Sequence, residues 1–198
     1  MKRILAAALS TVFSAAALAA ATVGQPAPAF TVTDLAGKPV NLADYKGKTV
    51  VLEWHNFECP FVQKHYRSGN MQSLQKKYAN DVVGLAVSST AKTASDYIEP
   101  ATISKQLSEF KAQPARYLLD EPGAVGRAYG AKTTPHMYII DGTGKVVYNG
   151  AIDDRQSTNV ADVKGAKNYV ALALDEMKAG KPVTVASTTP YGCSVHYK

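Results

Sequence analysis

The run Thr49-Val50-Val51-Leu52-Glu53-Trp54, followed shortly by Cys59-Pro60, constrains this chain more than any other feature. Alternating apolar and polar residues would mark a strand with one wet face, whereas an almost unbroken apolar run marks a strand covered on both faces. Proline is favoured at the first position of a helix, where its missing N–H costs nothing. The segment therefore reads as an inner strand, a short loop and a helix that begins at Pro60. Phe61, Val62 and Tyr66 form the inner face of that helix, Gly69-Asn70 interrupts it, and Met71, Leu74 and Tyr78 resume the helical spacing.

The remaining pattern extends the same architecture. Phe30-Thr31-Val32-Thr33 alternates like a strand, residues 82–87 form another, and Ile103, Leu107 and Phe110 fit a helix. Tyr117-Leu118-Leu119 predicts a short strand, and residues 125–129 a short helix that stops at Gly130. Met137-Tyr138-Ile139-Ile140 and Val146-Val147-Tyr148 flank Asp141-Gly142-Thr143-Gly144, a hairpin signal. A loop from residue 153 to 164 precedes a last helix with Val170, Leu174 and Met177, closed by Gly180. At 198 residues, 46% apolar and 19% charged, with no repeats, the chain is expected to be one α/β domain with a central mixed sheet flanked by helices. Residues 187–198 read as an irregular tail.

Met1-Lys2-Arg3, a mostly apolar stretch through Leu18 and then Ala19-Ala20-Ala21 have the layout of a secretory signal, with a cut expected before Thr22. The domain would then be residues 22–198, exported across the inner membrane to the periplasm and not membrane-spanning after cleavage. Two of the positives in the net charge of +6 lie in that leader, and no Lys/Arg run exceeds two, so nucleic acid is not implied. Export places Cys59 and Cys193 where disulfides form and persist. Phosphate-loop, nucleophile-elbow, zinc-helix and haem-attachment motifs are absent from the sequence. No cofactor is expected.

Cys59, at a strand-to-helix junction, sits among unpaired amide N–H groups and the positive end of the helix dipole. Both favour the nucleophilic thiolate. Residues 51–62, VLEWHNFECPFV, resemble the active-site segment of thioredoxin-fold proteins, and Thr133-Thr134-Pro135 before a strand resembles their proline loop. The opening GQPAPAFTVTDLAGKPVNLADYKGK resembles the alkyl hydroperoxide reductase/thiol-specific antioxidant proteins. The chain is thus similar to the peroxiredoxin-like redoxins. That resemblance implies a thioredoxin-like fold with an N-terminal extension and an insertion at residues 88–112, and a cis Pro135 packed against Cys59.

The resemblance also implies roles. Cys59 would attack a peroxide or a disulfide, and Glu53, six residues earlier, would occupy the place of the buried acid that handles protons. Pro135 would orient the substrate, with Trp54, Thr134 and His136 as substrate contacts. Cys193 lies where several peroxiredoxins keep a resolving cysteine, and a permanent disulfide or an intermolecular bridge are the alternatives for it. Partners would be a small peroxide or a protein or small-molecule disulfide, together with a thiol reductant. The motif departs from the family in telling places. Val62 replaces the second cysteine of Cys-x-x-Cys, and Leu52, Asn56 and Pro135 stand where peroxide-activating proline, threonine and arginine are found. Asn56 retains an amide for hydrogen bonding, and Arg127 is a candidate to reach the site from elsewhere.

Histidine raises a second function class. Exported copper chaperones of this fold bind metal with two cysteines and a distant histidine, which gives Cys59, Cys193 and His136 as an alternative ligand set. His65 and His55 read as structural, with His55 placed to tune the thiolate. Asp153-Asp154 reads as loop solvation or a helix lead-in. A redox-inactive binding domain with a structural disulfide is the third alternative.

Overall fold

The computed structural model describes residues 20–198. The expected leader lies outside them, apart from Ala20 and Ala21. The chain opens with strands β1 (Thr31–Asp34) and β2 (Pro39–Asn41), then β3 (Thr49–Trp54), helices α1 (Pro60–Arg67) and α2 (Asn70–Lys77), and β4 (Val82–Ser88). Next come α3 (Pro100–Glu109), β5 (Arg116–Leu119), α4 (Ala124–Tyr129) and the two-residue β6 (Thr133–Thr134). The hairpin β7 (His136–Ile140) and β8 (Val146–Gly150), helix α5 (Tyr169–Lys178) and the two-residue β9 (Cys193–Ser194) complete it.

Seven strands form one mixed sheet in the order β2-β1-β5-β4-β3-β7-β8, and β6 pairs separately with β9. Strand β3 runs parallel to β4 and antiparallel to β7, so it has neighbours on both edges as well as helices on both faces. That position explains its apolar sequence. Val50, Leu52 and Trp54 turn to one face and pack with Phe30, Val87, Leu118, Val125, Tyr129 and Tyr138. Val51 turns to the other, beneath Val62 and Tyr66 of α1, Met71 of α2 and Val170 and Leu174 of α5. Each of the fully buried Leu52, Leu85 and Leu118 contributes roughly 1.5–3 kcal/mol by leaving water.

The expected insertion contains a loop and α3, which leads into β5. Ile103 of α3 packs on Ala86 of β4 and Tyr117 of β5. Strand β5 lies between β4 and β1 and so joins the N-terminal hairpin to the sheet. The tail is irregular over most of its length, but it is fixed in place rather than free. Ser187 bridges to Asn149, and Cys193 and Ser194 pair with Thr134 and Thr133. Tail residues have few long-range apolar signals, so this pairing left no periodic trace in the sequence.

Candidate active site

The loop after β3 carries Cys59 from the C-terminal end of that inner strand to the start of α1 and is shaped by one asparagine. Asn56 Oδ1 accepts from the Glu58 N–H at 2.9 Å, and its backbone carbonyl accepts from the Cys59 N–H at 3.1 Å. Its side-chain amide donates to the Asp96 carbonyl at 2.9 Å and the Asp96 carboxylate at 3.1 Å. The buried Asn56 thus holds the turn with its oxygen and ties it to Asp96 with its amide, which is not turned to Cys59 as a donor for a peroxide. Cys59 caps α1, with Pro60 at the first helical position as expected.

Cys59 is buried and forms a disulfide with Cys193, across 134 residues of sequence and a Cα–Cα distance of 5.9 Å. The Thr134–Pro135 peptide is cis, and the Thr134 carbonyl lies 3.0 Å from Cys59 Sγ. The same Thr134 pairs with Cys193 in the β6–β9 ladder. Gly192, at φ 146°, runs so close to the Thr134 carbonyl that a Cβ there would overlap it. Cys59, Thr134, Pro135 and Cys193 therefore form one cluster.

Glu53 is the charged residue of β3, and burial pushes its carboxyl up to about 8. Tyr66 donates a hydrogen bond to Oε2 at 2.8 Å, which opposes that rise without cancelling it. The carboxyl borders a cavity of about 280 Å³ lined by Met71, Leu74, Tyr78 and Leu174 among others. Cys59 packs on the same face of the sheet, and Tyr66 belongs to the cluster around it.

Two expected substrate contacts lie on the sheet face opposite Glu53. These are Trp54 and His136, which pair with each other across β3 and β7. Trp54 is fully buried and donates from Nε1 to Ser89 at 3.0 Å. His136 is buried, its Nδ1 accepts from the Lys132 N–H at 3.2 Å and its Nε2 faces Asn149 Oδ1 at 3.2 Å. With both ring nitrogens engaged and both sulfurs in a disulfide, the alternative set Cys59, Cys193 and His136 is not assembled as metal ligands. Strand period places alternate residues on opposite faces, and sequence nearness to the proline overrode that. Arg127 also stays away from Cys59. It donates to the Pro122 carbonyl at 2.7 Å and stacks on Tyr197 at 4.9 Å.

Residues 22–169 match the Redoxin family. The chain belongs to the redoxin family. This redoxin is 27% identical over 128 residues to the thiol-disulfide oxidoreductase ResA of Bacillus thuringiensis, covering 63% of this chain and 67% of that protein. It is 29% identical over 126 residues to the thioredoxin-like protein YneN of Bacillus subtilis, at 62% and 68% coverage. Among solved structures it resembles an uncharacterized conserved protein of Geobacillus kaustophilus, with TM-score 0.78, 30% identity and coverage of 89% and 93%. A putative thiol:disulfide interchange protein DsbE of Chlorobium tepidum superposes with TM-score 0.54 at 28% identity, covering 66% and 85%. The expected thioredoxin-like α/β fold is therefore the fold this redoxin has.

The sequence reading of this redoxin missed a buried polar cluster behind the disulfide. Asp153, expected in a solvated loop, is buried, with Lys64 Nζ 3.5 Å from its Oδ2. Tyr191 donates to Asp153 Oδ1 and accepts from His65 Nε2 across 3.3 Å. Burial lowers His65 to about 4 and His55 to about 3, so both rings are neutral near pH 7. His55 Nδ1 lies 3.0 Å from the Tyr117 hydroxyl, and its Nε2 is buried without a hydrogen bond. The signal that could have found the cluster is Lys64 itself, a cation within two residues of the apolar Val62 and Tyr66 on α1.

Proposed function

We propose that this redoxin is an exported thiol-disulfide oxidoreductase whose working pair is Cys59 and Cys193. One observation carries the reading: the cysteine at the start of α1 is joined to the tail cysteine beside a cis-proline loop. The names of ResA and the DsbE-like structure support the same chemistry. In the reduced chain, Cys59 thiolate attacks one sulfur of a substrate disulfide, and the other substrate sulfur leaves as a thiolate. Cys193 thiolate then attacks Cys59 Sγ, releases the second substrate thiol and closes the pair. Two electrons pass to the substrate, and an external dithiol restores them. Glu53, with its raised pKa, takes up and returns the proton as the thiols ionise. Pro135 and the Thr134 carbonyl set the approach to Cys59.

A disulfide is favoured over a peroxide as substrate because Asn56 is committed to the turn and Arg127 to the tail. The leader composition and the disulfide support an extracytoplasmic location, and no helix among the described residues is long and apolar enough to cross a membrane. The deciding experiment treats the reduced mature protein with one equivalent of oxidised glutathione or of hydrogen peroxide and follows both thiols by labelling and intact mass. Rapid closure of Cys59–Cys193 by the disulfide, with Cys193→Ser stopping at a Cys59 mixed disulfide, is expected. A bond that resists mild dithiol reduction would instead make it structural.

A further inference from the structure

The tail that carries Cys193 is anchored to the very helix that starts at Cys59. Two residues before Cys193, the Tyr191 ring packs on Phe61 of α1 at 5.8 Å. Its hydroxyl enters a closed polar pocket made by the next turn of the same helix. There it donates to Asp153 Oδ1, while Lys64 Nζ stands 3.4 Å and His65 Nε2 3.3 Å away. Asn70 Nδ2 lies 2.9 Å from His65 Nδ1, which leaves the ring proton on Nε2, facing Tyr191. Lys64 also donates to the Arg155 carbonyl at 2.5 Å and carries no exposed surface.

Burying a lysine–aspartate pair in a core is expensive, and apolar residues of the same volume often serve stability better. What the pair adds here is a directional socket for one hydroxyl. On the other side of Cys193, Tyr197 is held over Gly123 and Gly126, where a side chain on either glycine would collide with the ring. The cysteine is bracketed by two tyrosine anchors, each made by contacts other than the S–S bond.

We propose that Tyr191, held by Asp153 and Lys64, is a positioning residue that keeps Cys193 at Cys59 in the dithiol state and so sets how readily the pair closes. The inference rests on the thiol-disulfide exchange reading and concerns its resolving step. Reduction by dithiothreitol breaks the Cys59–Cys193 bond, forms the cyclic disulfide of the reagent and moves two electrons and two protons to the protein. Anchoring the tail raises the effective concentration of Cys193 at Cys59, which pulls this equilibrium toward the closed form.

The test is that equilibrium in mixtures of reduced and oxidised dithiothreitol, read by alkylation and intact mass. Tyr191→Phe and Asp153→Asn are each expected to shift it toward the dithiol by about tenfold, the size of one lost hydrogen bond to a charged group, or ~30 mV for a two-electron couple. Tyr138→Phe removes a buried hydroxyl that donates to the Tyr129 carbonyl on the other sheet face, and is expected to leave the equilibrium where it is. A Tyr191→Phe protein with the wild-type equilibrium overturns the proposal, as does an equal shift in Tyr138→Phe. Should Tyr191→Phe fail to fold, Asp153→Asn decides by the same rule. Turnover of a substrate disulfide by the wild type judges the exchange reading separately, since the equilibrium is measured on the chain's own bond.

Discussion

Glu53 shows how the burial of a single side chain couples folding to pH. Its folded pKa of about 8 lies above the unfolded value of 4.5, so the native protein keeps a proton that the unfolded chain releases. The contribution is intact below about pH 4.5 and is lost as pH rises through about 8. Glu53→Gln is therefore expected to gain stability over wild type in urea denaturation as pH rises from 5 to 9. A difference that stays constant with pH would refute a buried neutral acid. The same variant should slow disulfide exchange and lose any inflection of rate near pH 8, because the amide cannot exchange the proton. Asn56, four residues before Pro60, illustrates the opposite case: a polar side chain whose acceptor holds the turn at Glu58 and whose amide ties that turn to Asp96.

At the scale of elements, the pairing of β9 with β6 decides whether the tail is part of the site. Gly192 is what permits it. A methyl group there meets the Thr134 carbonyl and the Pro135 nitrogen, which are backbone atoms of the cis-proline loop and have little freedom to move away. Gly192→Ala should cost ~2 kcal/mol or more in the oxidised form, a range typical of forced backbone displacement. Chemical denaturation of oxidised Gly192→Ala against wild type checks it, and an unchanged midpoint would mean the tail is not pressed on the loop. The apolar β3 and the β7–β8 hairpin were legible before any coordinates, because burial on two faces and a tight turn each leave a local pattern. The β6–β9 pair was not, since two residues are too few to show a period.

For the whole molecule, pH sets a second boundary. Burial lowers His65 and His136 to about 4 and His55 to about 3, all below the ordinary 6.5. The unfolded chain takes up these protons first, so the histidines' contribution should be full above about pH 6.5 and fall as pH drops through about 4, opposite in sign to that of Glu53. Thermal melts from pH 7 to 4 check this, and His136→Asn should flatten part of the decline. The disulfide spans most of the domain. Closing a loop of 134 residues restricts the unfolded chain by an amount on the order of 5 kcal/mol in the chain-entropy view. Reduction should lower Tm by a corresponding margin.

The sequence by itself determined the sheet, its flanking helices and the place of Cys59, since burial and helix starts are written in neighbouring residues. The resemblance also singled out Glu53, six residues before Cys59, as an acid in an apolar strand. Only the tertiary structure decided which residues meet. It turned Trp54 and His136 to the far face, committed Asn56 to its turn, and gathered Lys64, His65, Asp153 and Tyr191 behind the disulfide. The reason is physical: a strand's period is local, but the partner of a buried polar group comes from wherever the chain folds back, here from a tail more than a hundred residues away.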